Sequence, residues 1–256
     1  TRSETVAANG MVATSHPMAA EAGLDILKAG GNAFDAAVAA AAVLNVVEPG
    51  SAGMGGDAFI LAWSAKDKKL IALDGSGRAA SGATPQRYAA KGLKAVPQNG
   101  IESAVAPGAV DALDVLLKAY GSRDFKTVLE PAAHLAEQGF GVTERMGRDW
   151  ANDRRILTLD PDTTKVYLPG GAAPPLYSRF RNPDLGKAFR LLQAQGRDAF
   201  YKGAIGQAIV AKSQTLGGSI TMADLGSVHA KWVQPVTTRY RGYDLFEMPP
   251  STQGFA

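Results

Sequence analysis

A glycine-dense segment, residues 48–59 (EPGSAGMGGDAF), most constrains how this chain can fold. It lies between a long run of small apolar residues and a strongly apolar, strand-like run. Glycine can adopt a positive φ and allows another group to approach the backbone closely, so the segment predicts a tight internal turn. It contains neither G-x-x-x-x-G-K-[ST] nor G-x-G-x-x-G, and therefore fits no phosphate-binding motif. A plain helix-to-strand connection is the alternative interpretation.

The composition limits the chemistry available to the chain. Its 256 residues include no cysteine, which excludes thiol catalysis, cysteine-ligated metals and disulfides. The three histidines, His16, His134 and His229, lie far apart in sequence and offer little to a metal site or a Ser/His/Asp triad. The 27 basic and 24 acidic residues are interspersed, so the net charge of +3 gives no case for binding nucleic acid or a membrane. The longest apolar-rich stretch, residues 36–47, is too short to span a bilayer.

The first third of the chain predicts two helices followed by a hairpin. Residues 10–14 are β-prone, and the Ser-His-Pro sequence at 15–17 then starts a helix that ends near the glycines at 30–31. Asn32 is expected to cap a second helix, residues 33–47, whose alanines leave it small on every side and hence central. Two apolar strands, residues 58–63 and 69–73, should then form a hairpin.

The second of these strands runs into a polar, glycine-containing loop, residues 74–78 (DGSGR). Functional side chains are often displayed where a loop leaves a buried strand. Asp74 and Arg78 are therefore candidates for function, and a plain loop role for both is the alternative.

The rest of the chain predicts mostly helices and ends in a strand pair, residues 233–248, that turns at Arg241-Gly242. Residues 79–102 and 160–183 are expected to be irregular, and Pro131 should kink or restart its helix. A helix-cap signal at Ser251 or Thr252 indicates that a further segment is missing, and the chain reads as one domain or part of one. The predicted helices cover residues 109–120, 125–138, 143–158, 184–195 and 197–216, with a short last helix starting at Thr221.

Blocks spread in order over residues 10–251 resemble the large subunit of γ-glutamyltranspeptidases. They are GMVA (10–13), DILKAGGNAFDAAV (25–38), GMGGDAF (53–59), APGAV (106–110), LEPA (129–132), AEQGF (136–140), FYKG (200–203), GG (217–218), IT (220–221), YRGY (240–243) and MPPS (248–251).

This resemblance implies an α+β fold, the αββα sandwich of N-terminal nucleophile hydrolases, of which this chain would supply mostly helices and a few strands. Residues 1–256 would form part of a single domain, completed by a missing C-terminal part and a small subunit. In that family a precursor cuts itself, and the new N-terminal threonine of the small subunit is the nucleophile, with its own α-amine as base. The resemblance thus implies no catalytic residue in this chain, no metal and no cofactor. Thr1 precedes the first block, so it is expected to be a trimmed terminus and not the nucleophile.

One departure from the family pattern affects specificity. The resemblance implies an arginine two residues past the strand-end aspartate, pairing with the substrate's α-carboxylate, but that position here is Ser76 and the nearest arginine is Arg78. Ser76 and Arg78 are therefore the predicted substrate contacts, with Asp74 holding their loop. Asp57 stands where better-known members carry another glycine, and the sequence suggests only a loop-capping carboxylate.

The resemblance leaves three functions open. The first is the large subunit of an autoprocessed threonine amidohydrolase or acyltransferase, made as a zymogen, that cleaves γ-glutamyl amides such as glutathione. The second is hydrolysis of another small amide, because the DGSGR form is similar to cephalosporin acylase-like and oxamate amidohydrolase-like members. The third is a non-catalytic scaffold. The expected partners are the small subunit of the same precursor and a small-molecule amide, and the compartment stays open between periplasmic or secreted and cytoplasmic.

Overall fold

The structure, a computed structural model, describes residues 4–254, so Thr1 lies outside the described residues. The chain divides into two compact units. Among the described residues, the first comprises residues 4–53 and 117–195, and the second residues 54–116 and 196–254. The helices are α1 (Pro17–Lys28), α2 (Ala33–Val47), α3 (Pro85–Ala90), α4 (Ala109–Tyr120), α5 (Phe125–Gln138), α6 (Glu144–Asn152), α7 (Arg154–Leu157), α8 (Pro161–Tyr167), α9 (Pro183–Gln195), α10 (Asp198–Tyr201), α11 (Ala204–Thr215) and α12 (Met222–Gly226). The strands are β1 (Ala58–Ser64), β2 (Lys69–Gly75), β3 (Phe140–Gly141), β4 (Arg179–Phe180), β5 (Lys231–Val233), β6 (Val236–Tyr240) and β7 (Tyr243–Glu247).

The first unit is a helical stack in which α1 packs on α2, α2 on α5, and α5 on α9. Helix α1 begins as predicted, with Pro17 in its first turn and the His16 side chain accepting a hydrogen bond from the Met18 N–H. Helix α2 begins with a capping box between Asn32 and Asp35. Most of the apolar residues of α2 are buried, as expected of a central helix with small side chains.

The second unit contains an antiparallel three-stranded sheet in the order β1-β2-β5. The β1–β2 pair confirms the predicted hairpin, and its register places Ala58 opposite Gly75 and Ser64 opposite Lys69. Strands β6 and β7 form a separate hairpin that turns at Arg241 and Gly242, also as predicted.

Local capping and breaking residues account for most differences from the predicted elements. The segments 79–102 and 160–183 are not purely irregular, because Thr84 caps α3 and Asp160 caps α8, each followed by proline in the first turn. The predicted helix at 197–216 is interrupted at Gly203, where an added Cβ would lie 2.9 Å from the Ala199 backbone.

Two further element predictions differ from the structure. Residues 143–158 form two helices separated at Asp153, and residues 10–14 form no strand. Helix α5 continues past Pro131, so of the predicted kink or restart the structure excludes the restart. None of the helices within residues 4–254 is both long and apolar enough to cross a bilayer.

Candidate functional site

The sequence-predicted site residues lie in the loop that leaves β2, residues 74–78, which we call the 74–78 loop. Asp74 is the penultimate residue of β2 and lies opposite Phe59 of β1, while Gly75 lies opposite Ala58. The residue that enters β1 from the glycine-dense segment is Asp57, directly before Ala58. The hairpin register therefore brings Asp57 close to the 74–78 loop.

Three successive backbone N–H groups of the loop each have a defined acceptor. The Ser76 N–H donates to Asp74 Oδ1 at 2.8 Å, and the Gly77 N–H donates to Asp57 Oδ1 at 2.6 Å. The Arg78 N–H donates to the Ala106 carbonyl at 3.1 Å, and the Ala106 N–H returns a 2.8 Å bond to the Arg78 carbonyl. Two carboxylates and one bridge to residue 106 thus fix the backbone from which Ser76 and Arg78 project.

Close packing at two glycines supports this backbone. A Cβ at Gly77 would lie 2.5 Å from Val105 Cγ2 and 2.7 Å from the Ala106 carbonyl oxygen, which is too close for any larger residue. At Gly75, a Cβ would lie 2.7 Å from the Ala58 carbonyl oxygen. The loop therefore packs directly against two neighbouring stretches of main chain.

The side chains of Ser76 and Arg78 remain available for a ligand. Ser76 is half-buried and Arg78 is exposed. Within residues 4–254, no carboxylate lies within 4 Å of the Arg78 guanidinium, and the Ser76 hydroxyl has no hydrogen-bond partner. Asp74 binds the Ser76 amide of the loop, while the roles of Asp74, Ser76 and Arg78 in binding a substrate stay predictions.

Sequence reasoning missed two supports of this loop. Asp57 was noticed only as a departure from the family pattern, and its partner, the Gly77 amide, lies 20 residues away. Ala106 opens the APGAV block of the family resemblance, but nothing in the sequence indicated that Val105 and Ala106 support this loop, because they do so through backbone groups and one methyl contact.

A cavity of about 420 Å³ in the first unit is a second candidate. The buried His16 lines it together with Glu48, Arg145, Asp149 and Asp153. Burial lowers the pKa of His16, and the Glu48 carboxylate opposes that shift in part. Its Nδ1 accepts the Met18 N–H, and its Nε2 has no partner among the described residues. No cluster of three or more metal-ligating side chains occurs in residues 4–254.

Comparison with known proteins places these features in a family. Residues 19–256 match the sequence model of the γ-glutamyltranspeptidase family. A glutathione hydrolase-like proenzyme of Bacillus subtilis (strain 168) is 40% identical over 246 residues, which are 96% of this chain and 46% of that protein. The chain thus spans about half the length of this curated relative.

Two solved structures match nearly the whole chain. Cephalosporin acylase of Bacillus halodurans is 39% identical with a TM-score of 0.93, covering 98% of this chain and 48% of that one. The γ-glutamyltranspeptidase of Helicobacter pylori is 30% identical, also with a TM-score of 0.93, covering 98% of this chain and 73% of that one. These matches and the mixture of helices with few strands confirm the predicted α+β fold class and the predicted family.

Proposed function

The chain belongs to the γ-glutamyltranspeptidase family, of which it covers the large-subunit portion, and on this premise we propose that it is the large subunit of an autoprocessed threonine amidohydrolase or acyltransferase. The proposed acyl donors are γ-glutamyl amides such as glutathione. One observation carries the proposal. Within residues 4–254 the Arg78 guanidinium has no ion-pair partner, and it projects from a loop whose backbone is held by hydrogen bonds. A guanidinium binds a carboxylate through two parallel hydrogen bonds, and a γ-glutamyl group carries an α-carboxylate for such a contact.

The proposed reaction needs no cysteine or histidine, which agrees with a composition of no cysteine and three histidines. The hydroxyl oxygen of the small-subunit threonine attacks the amide carbonyl carbon, and the threonine's own α-amine takes the hydroxyl proton. That proton passes to the leaving nitrogen as the C–N bond breaks, which leaves a threonyl ester. Water then attacks the ester, releasing the acid and restoring the hydroxyl, whereas an amine acceptor would give a new amide.

The proposed partner is the small subunit of the same precursor, which would complete a single domain begun by residues 1–256. Within the second unit, β1 exposes three apolar side chains, and the β6–β7 hairpin exposes both faces. A two-stranded hairpin is marginal on its own in water, and exposed apolar patches of this kind mark interaction sites. The exposed apolar side chains are Phe59, Leu61 and Trp63 on β1 and Val236, Tyr240, Tyr243, Leu245 and Phe246 on the hairpin. The proposed cover for these side chains is the part of this protein's own precursor that corresponds to the region of the relative outside the match.

Hydrolysis of another small amide is the second candidate. It is favoured by Ser76, which replaces the arginine implied by the family pattern, and by the 39% identity to a cephalosporin acylase. A hydroxyl holds a carboxylate far less strongly than a guanidinium does, so the site would select γ-glutamyl groups only if Arg78 reaches the substrate. A substrate panel of γ-glutamyl, glutaryl and oxamate-type amides separates the two candidates.

The experiment that tests the proposal is an intact-mass measurement of the protein expressed from its complete gene, under denaturing conditions. We expect two masses whose sum equals the mass of the precursor plus one water. The smaller chain should begin with threonine. Changing that threonine to alanine in the precursor should leave a single, inactive mass. A single unprocessed mass from the parent gene would instead favour the non-catalytic scaffold.

A further inference from the structure

Asp57 makes a contact that the proposed function does not use. Its exposed carboxylate lies at the end of the glycine-dense segment and accepts the Gly77 N–H at 2.6 Å. In residues 4–254, the Gly77 amide has no other acceptor, and Asp57 has no ion-pair partner within 4 Å. The contact is therefore a specific bond between a carboxylate and one backbone amide.

The position of this bond within the loop gives it a particular consequence. The Ser76 amide is held from one side by Asp74, and the Arg78 amide from the other side by Ala106. The Gly77 amide lies between them, and Asp57 is its hydrogen-bond acceptor, in addition to the packing of Gly77 against Val105 and Ala106. Loss of this bond would remove one restraint from the main chain between Ser76 and Arg78, whose side chains are the predicted substrate contacts.

The chemistry of the acceptor favours a strong constraint. A hydrogen bond to an ionised acceptor is shorter and about twice as strong as a neutral one. Val105 and Ala106 leave no room for a larger side chain at position 77, and glycine there, as at position 75, gives the main chain more conformational freedom than other residues do. The hydrogen bond to the Asp57 carboxylate opposes that freedom at Gly77.

From this geometry we infer that Asp57 is a positioning residue: it holds the Gly77 peptide and thereby sets where the Arg78 guanidinium meets the carboxylate of the acyl donor. The inference rests on the proposed function for the identity of the ligand. The bond itself is independent of that function.

The test compares Asp57→Ala and Asp57→Asn in the full-length protein, using two measurements. The first is amide hydrogen exchange at Gly77, by ¹⁵N-glycine NMR or by mass spectrometry of a peptide spanning 74–79. Asp57→Ala should accelerate exchange at least about tenfold, because a bond to a charged group is lost. Asn retains an oxygen acceptor, so Asp57→Asn should give an intermediate rate.

The second measurement is the kinetics with a γ-glutamyl anilide. Asp57→Ala should raise KM about tenfold or more with a smaller change in kcat, and Asp57→Asn should recover most of the loss. Asp67→Ala is the matched control, since Asp67 also binds a turn of the β1–β2 hairpin, through Ser64, but at its opposite end. This control should leave both Gly77 exchange and KM as in the parent.

Unchanged Gly77 exchange in Asp57→Ala would overturn the inference, as would faster exchange with an unchanged KM. If the parent enzyme cleaves no γ-glutamyl amide, the proposed function fails. Exchange at Gly77 would still decide whether Asp57 holds the loop.

Discussion

Asp35 at the start of α2 is joined to Ser122, 87 residues later, by two hydrogen bonds. Its Oδ1 accepts the Ser122 N–H at 2.8 Å, and its Oδ2 accepts the Ser122 hydroxyl at 2.6 Å. The same carboxylate accepts the N–H groups of Asn32 and Arg123. Asp35 is fully buried, and these bonds hold its pKa below the usual value although burial alone would raise it. One side chain thus caps α2 and binds the turn before α5.

Replacement of Asp35 by alanine should destabilise the protein by about 3 kcal/mol, because four donors lose their acceptor and some are shielded from water. The measurement is the free energy of unfolding from urea denaturation of the full-length protein. Asp25→Ala is the control, since it removes an exposed carboxylate paired with Lys28 on α1 and should change stability little. Equal effects of the two substitutions would show that the Asp35 bonds add nothing.

Replacement of Arg197 by alanine should cost about 3 to 5 kcal/mol, because it leaves the buried Asp111 carboxylate without its cation. The Arg197 guanidinium also donates to the Val228 carbonyl at 2.6 Å and lies 4.4 Å from the centre of the Tyr201 ring. Arg197→Lys keeps the charge and loses the planar contacts, so an intermediate loss of stability is expected. The exposed pair of Lys202 and Asp198 provides the control, and Lys202→Ala should leave the urea midpoint unchanged.

Stability should depend on pH through His16. Its pKa is lowered by burial, so the unfolded chain binds a proton more readily than the folded protein does. Stability is therefore lost as pH falls below the unfolded value of about 6.5. His16→Asn keeps a side-chain acceptor for the Met18 N–H without a titrating group.

The check is the free energy of unfolding of parent and His16→Asn between about pH 5 and 8. The difference between the two free energies of unfolding should be constant at the alkaline end and should change on acidification, because the parent falls faster. Parallel curves would mean that His16 does not titrate in this range. The Asp149 and Asp153 carboxylates and the Arg145 guanidinium line the same cavity, and they are present in both proteins, so their contributions cancel.

The helices and strands that local chemistry determines could be predicted from the sequence. Helix α2 was predicted with its observed bounds because Asn32 and the alanine run specify its start and its packing. The breaks at Asp153 and Gly203 were missed, because helical periodicity continues across both positions.

In the candidate site, too, the local contact could be predicted from the sequence and the contacts between distant residues could not. The bond from Asp74 to the Ser76 amide spans two residues and was predictable as loop support. The bond from Asp57 to Gly77 and the bridge to Ala106 depend on hairpin register and on a segment some 30 residues away, which no local pattern encodes.

Removal of the Arg78 side chain tests its proposed contact with the substrate. In the assembled enzyme, Arg78→Ala should raise KM for a γ-glutamyl anilide by the equivalent of about 2 to 5 kcal/mol, the cost of losing a desolvated charge pair. Arg78→Lys should recover only part of this, because an ammonium cannot form two parallel hydrogen bonds. Arg148→Ala, at an exposed arginine of α6, is the control for loss of one positive charge. An unchanged Michaelis constant would remove Arg78 from the site and leave the second amide class favoured.

Gly77→Ala tests whether the loop backbone tolerates any displacement. The new Cβ would lie 2.5 Å from Val105 Cγ2, 2.7 Å from the Ala106 carbonyl oxygen and 3.0 Å from Asp57 Oδ1, so the loop must move. We expect a KM increase of about tenfold or more for the γ-glutamyl anilide, since a shift of about 1 Å in a positioning group can cost that much or more. Gly55→Ala is the matched control in the neighbouring glycine-dense segment, because a Cβ there meets nothing within 4 Å. If both alanine variants bind substrate like the parent, the 74–78 loop does not position the acyl donor; a loss confined to Gly77→Ala ties the position of the loop backbone to substrate binding.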